Sequence, residues 1–128
     1  MPSIRSLATD RAPQAIGAYS QGVDAQPFVF VSGQLGLDPT TGELVPGGAA
    51  QEAERALANV EAILAAASLG FGHVARMAIY LTDMATFAEV NAVYARVLGN
   101  ARPARVTVGV AALPRGACVE IEALAVRA

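Results

Sequence analysis

With 128 residues, 54% of them hydrophobic and only 16% charged, the chain has the length of one domain and ample apolar mass for a core. Its net charge of −2 offers no general attraction for nucleic acid or an anionic membrane. One cysteine excludes an internal disulfide and fits a reducing compartment, and with a single histidine beside it a transition-metal site is not expected.

In chain order, a first strand is expected near Ile4–Ala8, after which Arg11-Ala12-Pro13 breaks the chain. Tyr19–Val23 and Phe28–Ser32 read as two more strands, with Asp24-Ala25-Gln26-Pro27 as the turn between them. Leu37–Gly42 is a second turn, and Pro46-Gly47-Gly48 ends the loop region. The strongest helical pattern runs from Ala49 to Ser68. Ala53, Leu57, Val60, Leu64 and Ala67 recur at steps of four and three, while Glu52, Arg55 and Asn59 mark the wet side. Gly70 is its expected stop. Val74–Leu81 reads as a strand. Asp83 can cap a second helix whose face carries Phe87, Val90, Tyr94 and Val97, ended by Gly99. Ala104–Val110 and Cys118–Val126 supply the final strands. The order β-β-β-α-β-α-β-β predicts an α+β domain spanning residues 1–128, with a mixed sheet and both helices on one face. The other sheet face is then bare in a monomer.

Two charges stand out because their surroundings are apolar. Arg105 heads the stretch Ala104–Val108, and Glu120 lies inside Cys118-Val119-Glu120-Ile121-Glu122. A strand that carries a charge among apolar neighbours must pair it, expose it or use it. A guanidinium fork matches a carboxylate in bidentate geometry, and a carboxylate nearby can manage a water. The pair outlines a site for a small acid with a built-in acid/base. Glu120 and Glu122, two apart, can equally share one solvated strand face. All nine basic residues are arginine, so lysine Schiff-base chemistry, a pyridoxal phosphate anchor and a P-loop lysine are excluded. The charged share is well below the usual value of about 25%, which points to surface buried against another copy.

Four blocks, AIGAYSQGV at Ala15–Val23, FVSGQLGLDPTTGE ending at Glu43, FAEVNAVYARVL at Phe87–Leu98, and PARVTVGVAALP followed by VEIEALAV, resemble in the same order those of the RidA (YjgF) family of enamine/imine deaminases. The resemblance covers nearly the whole chain. It implies a chorismate-mutase-like fold, a six-stranded mixed sheet with two helices on one face, assembled as a homotrimer with sites between subunits. It makes Arg105 the anchor for the substrate carboxylate and Glu120 the group that binds and polarises water. Tyr19 would add a hydroxyl, and Ser32 and Gly33 a hydroxyl and backbone that hold the carboxylate. Thr107, on the strand face of Arg105, should line the pocket. Asn91 shares a helix face with Phe87 and Tyr94 and is either a site wall or a hydrogen-bond hub. Two departures are visible. Many members have serine and then cysteine after the arginine, where this chain has Val106 and Thr107, and proline before the tyrosine, where it has Ala18.

The implied reaction is hydrolysis of short 2-enamino or 2-imino acids to 2-oxo acids and ammonium, with no cofactor and no metal. The alternatives are a non-catalytic module that binds 2-oxo acids or amino acids, or an RNA-cleaving or chaperone-like relative. No nucleic-acid or membrane partner is expected. The first residues lack the apolar stretch of a signal peptide, so the chain reads as cytoplasmic. His73 reads as a solvated or capping residue and Cys118 as core filler. Gly33-Gln34-Leu35-Gly36 lacks the spacing of a phosphate loop.

Overall fold

Val119, Ile121, Ala123 and Ala125 are buried, while Glu120, Glu122, Leu124 and Val126 between them are half-buried on the opposite side. This alternation on one strand divides the molecule into a packed face and an open face. The computed structural model describes residues 3–127. Its strands are β1 (Arg5–Leu7), β2 (Gly22–Ala25), β3 (Phe28–Leu35), β4 (Val74–Leu81), β5 (Ala104–Gly109) and β6 (Val119–Val126). The helices are α1 (Ala49–Ala66) and α2 (Phe87–Leu98). The six strands form one sheet in the order β1-β2-β3-β6-β4-β5. Neighbours pair antiparallel except β4 and β5, which run parallel, so the sheet is mixed as expected.

Both helices cover the same side. Leu57, Val60 and Ile63 of α1 and Val90 and Tyr94 of α2 share one core with Val29, Met77, Ile79 and Ile121 from the strands. Fully burying each large apolar side chain contributes about 1.5–3 kcal/mol, so this face holds most of the stability. The other face leaves Phe28, Phe30, Val106 and Val108 exposed. No helix is long and apolar enough to cross a membrane among the described residues.

Three boundaries differ from those the sequence suggests. The second strand is Gly22–Ala25 rather than Tyr19–Val23, and Tyr19 lies in the preceding loop. Gln21 explains the shift. Its buried side chain donates from Nε2 to the carbonyls of Thr9, Ala12 and Pro13 and accepts from the Thr9 amide, tying that loop into a fixed shape. The turn consequently shrinks to Gln26-Pro27. The third strand continues past Ser32 to Leu35 through a bulge, in which Ser32 and Gly33 together face one residue of β6. The first helix ends at Ala66 without using Gly70. Ser68 takes the left-handed conformation at φ 63°, and the amides of Ser68 and Leu69 bond the carbonyls of Ala65 and Leu64.

The expected wet side of α1 is also corrected. Glu52 and Asn59 are buried, because both bond backbone groups at the sheet's end. Asn59 Nδ2 donates to the carbonyls of Leu35 (3.1 Å) and Leu37 (3.0 Å), and its Oδ1 accepts from Arg55. Glu52 Oε1 accepts from the Cys118 amide at 2.7 Å. These two side chains fix where β3 ends and β6 begins. Substituting Asn59 by leucine leaves the Leu35 carbonyl buried without a donor, and a loss of about 1–3 kcal/mol is expected in urea unfolding. An unchanged midpoint would mean that Asn59 is not the peg described.

Candidate functional site

The open face carries a cleft of about 590 Å³ whose lining includes Tyr19, Ser32, Gly33, Leu35, Arg115 and Glu120. Four of the seven residues singled out from the sequence therefore meet there. Glu120 pairs with Leu35 of β3, and its side chain reaches the bulge at Gly33. A Cβ built on Gly33 would fall 2.5 Å from Glu120 Oε2, so only glycine lets the carboxylate rest against that backbone. Burial raises the Glu120 pKa above that of an ordinary carboxyl, and the charge of Glu122 raises it further. Glu122, on the same face, accepts a hydrogen bond from the Tyr80 hydroxyl. It serves as a structural partner rather than a solvated twin of Glu120.

Ser32 is engaged from both ends. Its hydroxyl donates to the Ser20 carbonyl at 2.6 Å, and its amide donates to the Gln21 carbonyl at 3.0 Å. The hydroxyl proton is thus spent on the loop that carries Tyr19, and donation to a ligand would require leaving that bond. Tyr19 itself is 54% exposed on that loop, so it forms a rim and not part of the core.

Arg105, Asn91 and Thr107 form a second cluster elsewhere. In the parallel pairing of β4 and β5, Arg105 sits beside Met77 and Thr107 beside Ile79. Met77 and Ile79 point into the helix-covered core, so Arg105 and Thr107 belong to that face. Arg105 is on the outermost strand and reaches over α2. Its guanidinium donates to Asn91 Oδ1 at 2.7 Å, and its Cζ stands 4.9 Å from the Tyr94 ring centroid and 5.6 Å from that of Phe87. A bond to a neutral amide and two aromatic faces hold the cation without neutralising it. Asn91 therefore orients the arginine. The Tyr94 hydroxyl and Thr107 Oγ1 are buried beside this group without a partner among the described residues.

Within one chain Arg105 and Glu120 thus occupy opposite faces of the sheet. Period two on β5 and on β6, joined through β4, makes this unavoidable: Met77 is beside Arg105, while its neighbour in sequence on the other face, Ala78, is opposite Glu122. The sequence could not separate the two faces, because both residues lie in similar alternating stretches. Phe87, Tyr94 and Arg115 were also not anticipated at these sites. Helical spacing signals the first two, which lie four residues before and three after Asn91. No group of three His, Cys, Asp or Glu side chains among the described residues is arranged to hold a metal ion. His73 accepts the Gly70 amide through Nδ1, a local cap. The Cys118 thiol is half-buried, and burial raises its pKa.

A profile of the Endoribonuclease L-PSP family matches residues 9–127. The chain belongs to this family, the YjgF/RidA proteins. It is 52% identical over 124 residues to Protein DfrA of Myxococcus xanthus, covering 95% of each chain. It is 48% identical over 121 residues to the 2-iminobutanoate/2-iminopropanoate deaminase of Mus musculus, covering 94% of this chain and 90% of the mouse protein. Among solved structures, E. coli TdcF with bound serine superposes with a TM-score of 0.93 at 42% identity, covering 97% of this chain and 99% of TdcF. The six-stranded fold and its order are those of the family.

The raised pKa of Glu120 has a consequence for stability. A carboxyl that binds protons more tightly when folded favours the folded state at low pH and costs stability once it must ionise there. Glu120→Gln should therefore melt at a higher temperature than the wild-type protein at pH 8. Below about pH 4, where the carboxyl is neutral in both states, the difference should vanish. A lower melting temperature at pH 8 would show that Glu120 is a structural and not a strained group.

Proposed function

We propose that this family member hydrolyses short 2-enamino and 2-imino acids, of the kind of 2-iminobutanoate and 2-iminopropanoate, to 2-oxo acids and ammonium. The observation that carries the reading is the half-buried Glu120 carboxylate resting on Gly33 in an open cleft, in a chain 48% identical to the mouse deaminase. Arg105 would hold the substrate carboxylate as a charge-assisted pair, held in line by Asn91 and the two aromatic rings. Tyr19, Ser32, Gly33 and Thr107 would complete the walls. Glu120 takes a proton from water as the oxygen adds to the C=N carbon, forming a carbinolamine. That proton goes to nitrogen to complete the carbinolamine; Glu120 then carries the hydroxyl's proton to the same nitrogen as the C–N bond breaks, and ammonia leaves a 2-oxo acid. An imine is already activated, so positioning and one acid/base of raised pKa suffice, without a cofactor.

We further propose that the working unit is a homotrimer in which Arg105 comes from one subunit and Glu120 from its neighbour. Two observations support this. The two residues lie on opposite faces of one chain, and the open face exposes four large apolar side chains, Phe28, Phe30, Val106 and Val108. The second reading is a non-catalytic binding module. It is favoured by TdcF, which was solved with bound serine, a molecule with the same carboxylate and nitrogen pattern.

Arg105→Ala and Glu120→Gln should each abolish release of 2-oxobutanoate from 2-iminobutanoate formed in situ, measured against an amine trap. Glu120→Gln should retain 2-oxobutanoate binding. Co-assembled from equal amounts of the two inactive chains, randomly mixed trimers should recover about a quarter of wild-type activity, because one site in four joins an intact arginine to an intact glutamate. No recovery in a mixture shown to contain hybrid trimers would exclude the shared site. Wild-type protein that binds 2-oxobutanoate without accelerating its release would favour the binding module.

A further inference from the structure

The cleft on the open face contains two charged side chains, and the proposed hydrolysis uses only Glu120. The other is Arg115. It stands in the turn Pro114–Gly116, five residues before Glu120, with φ 64° and ψ 15°. That left-handed conformation is uncommon outside glycine, asparagine and aspartate, so something outside local propensity holds the residue there. Its guanidinium Nη2 donates to the Gly42 carbonyl at 2.9 Å. Among the described residues this is its one hydrogen bond, and no carboxylate pairs with it. A guanidinium has five N–H donors in a fixed fork, so most of this one remains open to a ligand. The cation is therefore anchored at one corner, unneutralised, on the wall of the cleft that holds the proposed acid/base. Leu35, Leu37 and Pro114 line the same cleft and give an apolar bed for methylene groups.

Arg105 does not enter this cleft within the chain, since it lies on the other face of the sheet. In the shared site it would hold the substrate's 1-carboxylate, while Glu120 faces the C=N carbon. The substrate's side chain then has the cleft to itself. We propose that Arg115 is a specificity-determining residue that binds a second, distal carboxylate, so that the preferred substrates are dicarboxylic 2-imino acids such as 2-iminoglutarate. This deepens the deaminase reading and rests on it. The bonds made and broken are unchanged: water adds to C=N, ammonia leaves, and the distal carboxylate reacts with nothing.

The test compares 2-iminoglutarate with 2-iminobutanoate, each formed in situ from its amino acid by an amino-acid oxidase with catalase present. kcat and KM are measured for wild type, Arg115→Ala and Arg115→Gln, the last keeping a donor for the Gly42 carbonyl. Losing a charge-assisted contact should lower kcat/KM on 2-iminoglutarate about tenfold to a hundredfold more than on 2-iminobutanoate, chiefly through KM. In calorimetry, 2-oxoglutarate binding should weaken by a similar factor and 2-oxobutanoate binding by much less. Equal losses on both substrates would overturn the proposal, because a structural clamp or a 1-carboxylate anchor acts on both. No loss on either would overturn it too. A wild-type protein that accelerates neither reaction sinks the deaminase reading instead. In that case the calorimetric contrast between the two oxo acids still decides what Arg115 binds.

Discussion

The strict two-residue alternation of β6 governs both the packing and the chemistry of this protein. As the strand between β3 and β4, it is hydrogen-bonded on both edges, so its side chains can only rise or fall from the sheet. One set, from Val119 to Ala125, meets the helices in the core. The other set begins with Glu120, which the core does not need. The Gly33 bulge then leaves room for that carboxylate against the backbone of β3. Any slip of one residue would bury both glutamates among leucines and expose four core side chains. Register and the placement of the cleft's carboxylate are therefore protected by the same hydrophobic pattern.

The cleft is joined to the core by polar side chains of α1. Glu52 reaches the first amide before β6, and Asn59 holds two carbonyls at the end of β3. Helix α1 packs on the side away from the cleft, yet it sets the positions of the segments that build the cleft. A buried amide or carboxylate costs stability unless its bonds are made, and here they are made to backbone groups at the strand ends. The arrangement trades apolar contact on the helix for precise placement of loop and strand ends. Asp24, also buried, is paired differently, its Oδ2 accepting from the side chains of Arg5 and of Arg127 just beyond the last strand.

Much of this was legible in the sequence, and what was not has a physical pattern. The two helices and the last three strands follow from periodicity, because their apolar faces are long enough to set the period. The second strand was misread because Tyr19-Ser20-Gln21 has strand-like composition, while Gln21 organises it as a loop through contacts 8 to 12 residues back. Glu52 and Asn59 were misread as solvated because polarity in a helix repeat says nothing about whether a buried partner is waiting. Arg105 and Glu120 were both noticed as charges in apolar strands. Their separation onto opposite faces depends on which strand pairs with which, and on the parallel register of β5, information no local pattern carries.

That separation bears on why the site takes this form. β4 lies between the strands of Arg105 and Glu120 and the two side chains point to opposite faces, so within one chain this cation and this carboxylate cannot pair with each other. A short ion pair would hold Glu120 below the ordinary carboxyl range and occupy the guanidinium fork. With the sheet between them, Arg105 keeps only an amide and two rings as partners, and Glu120 keeps a raised pKa. In the proposed trimer the two meet only across a subunit boundary, with substrate between them. The charges would then be brought close by assembly without collapsing onto one another, because each is fixed in advance by its own subunit's core. Arg115 obeys the same logic within the cleft, its backbone and one donor fixed while the rest of its fork stays open. In the proposed site, catalysis would depend less on any single reactive group than on keeping opposite charges apart until a ligand lies between them.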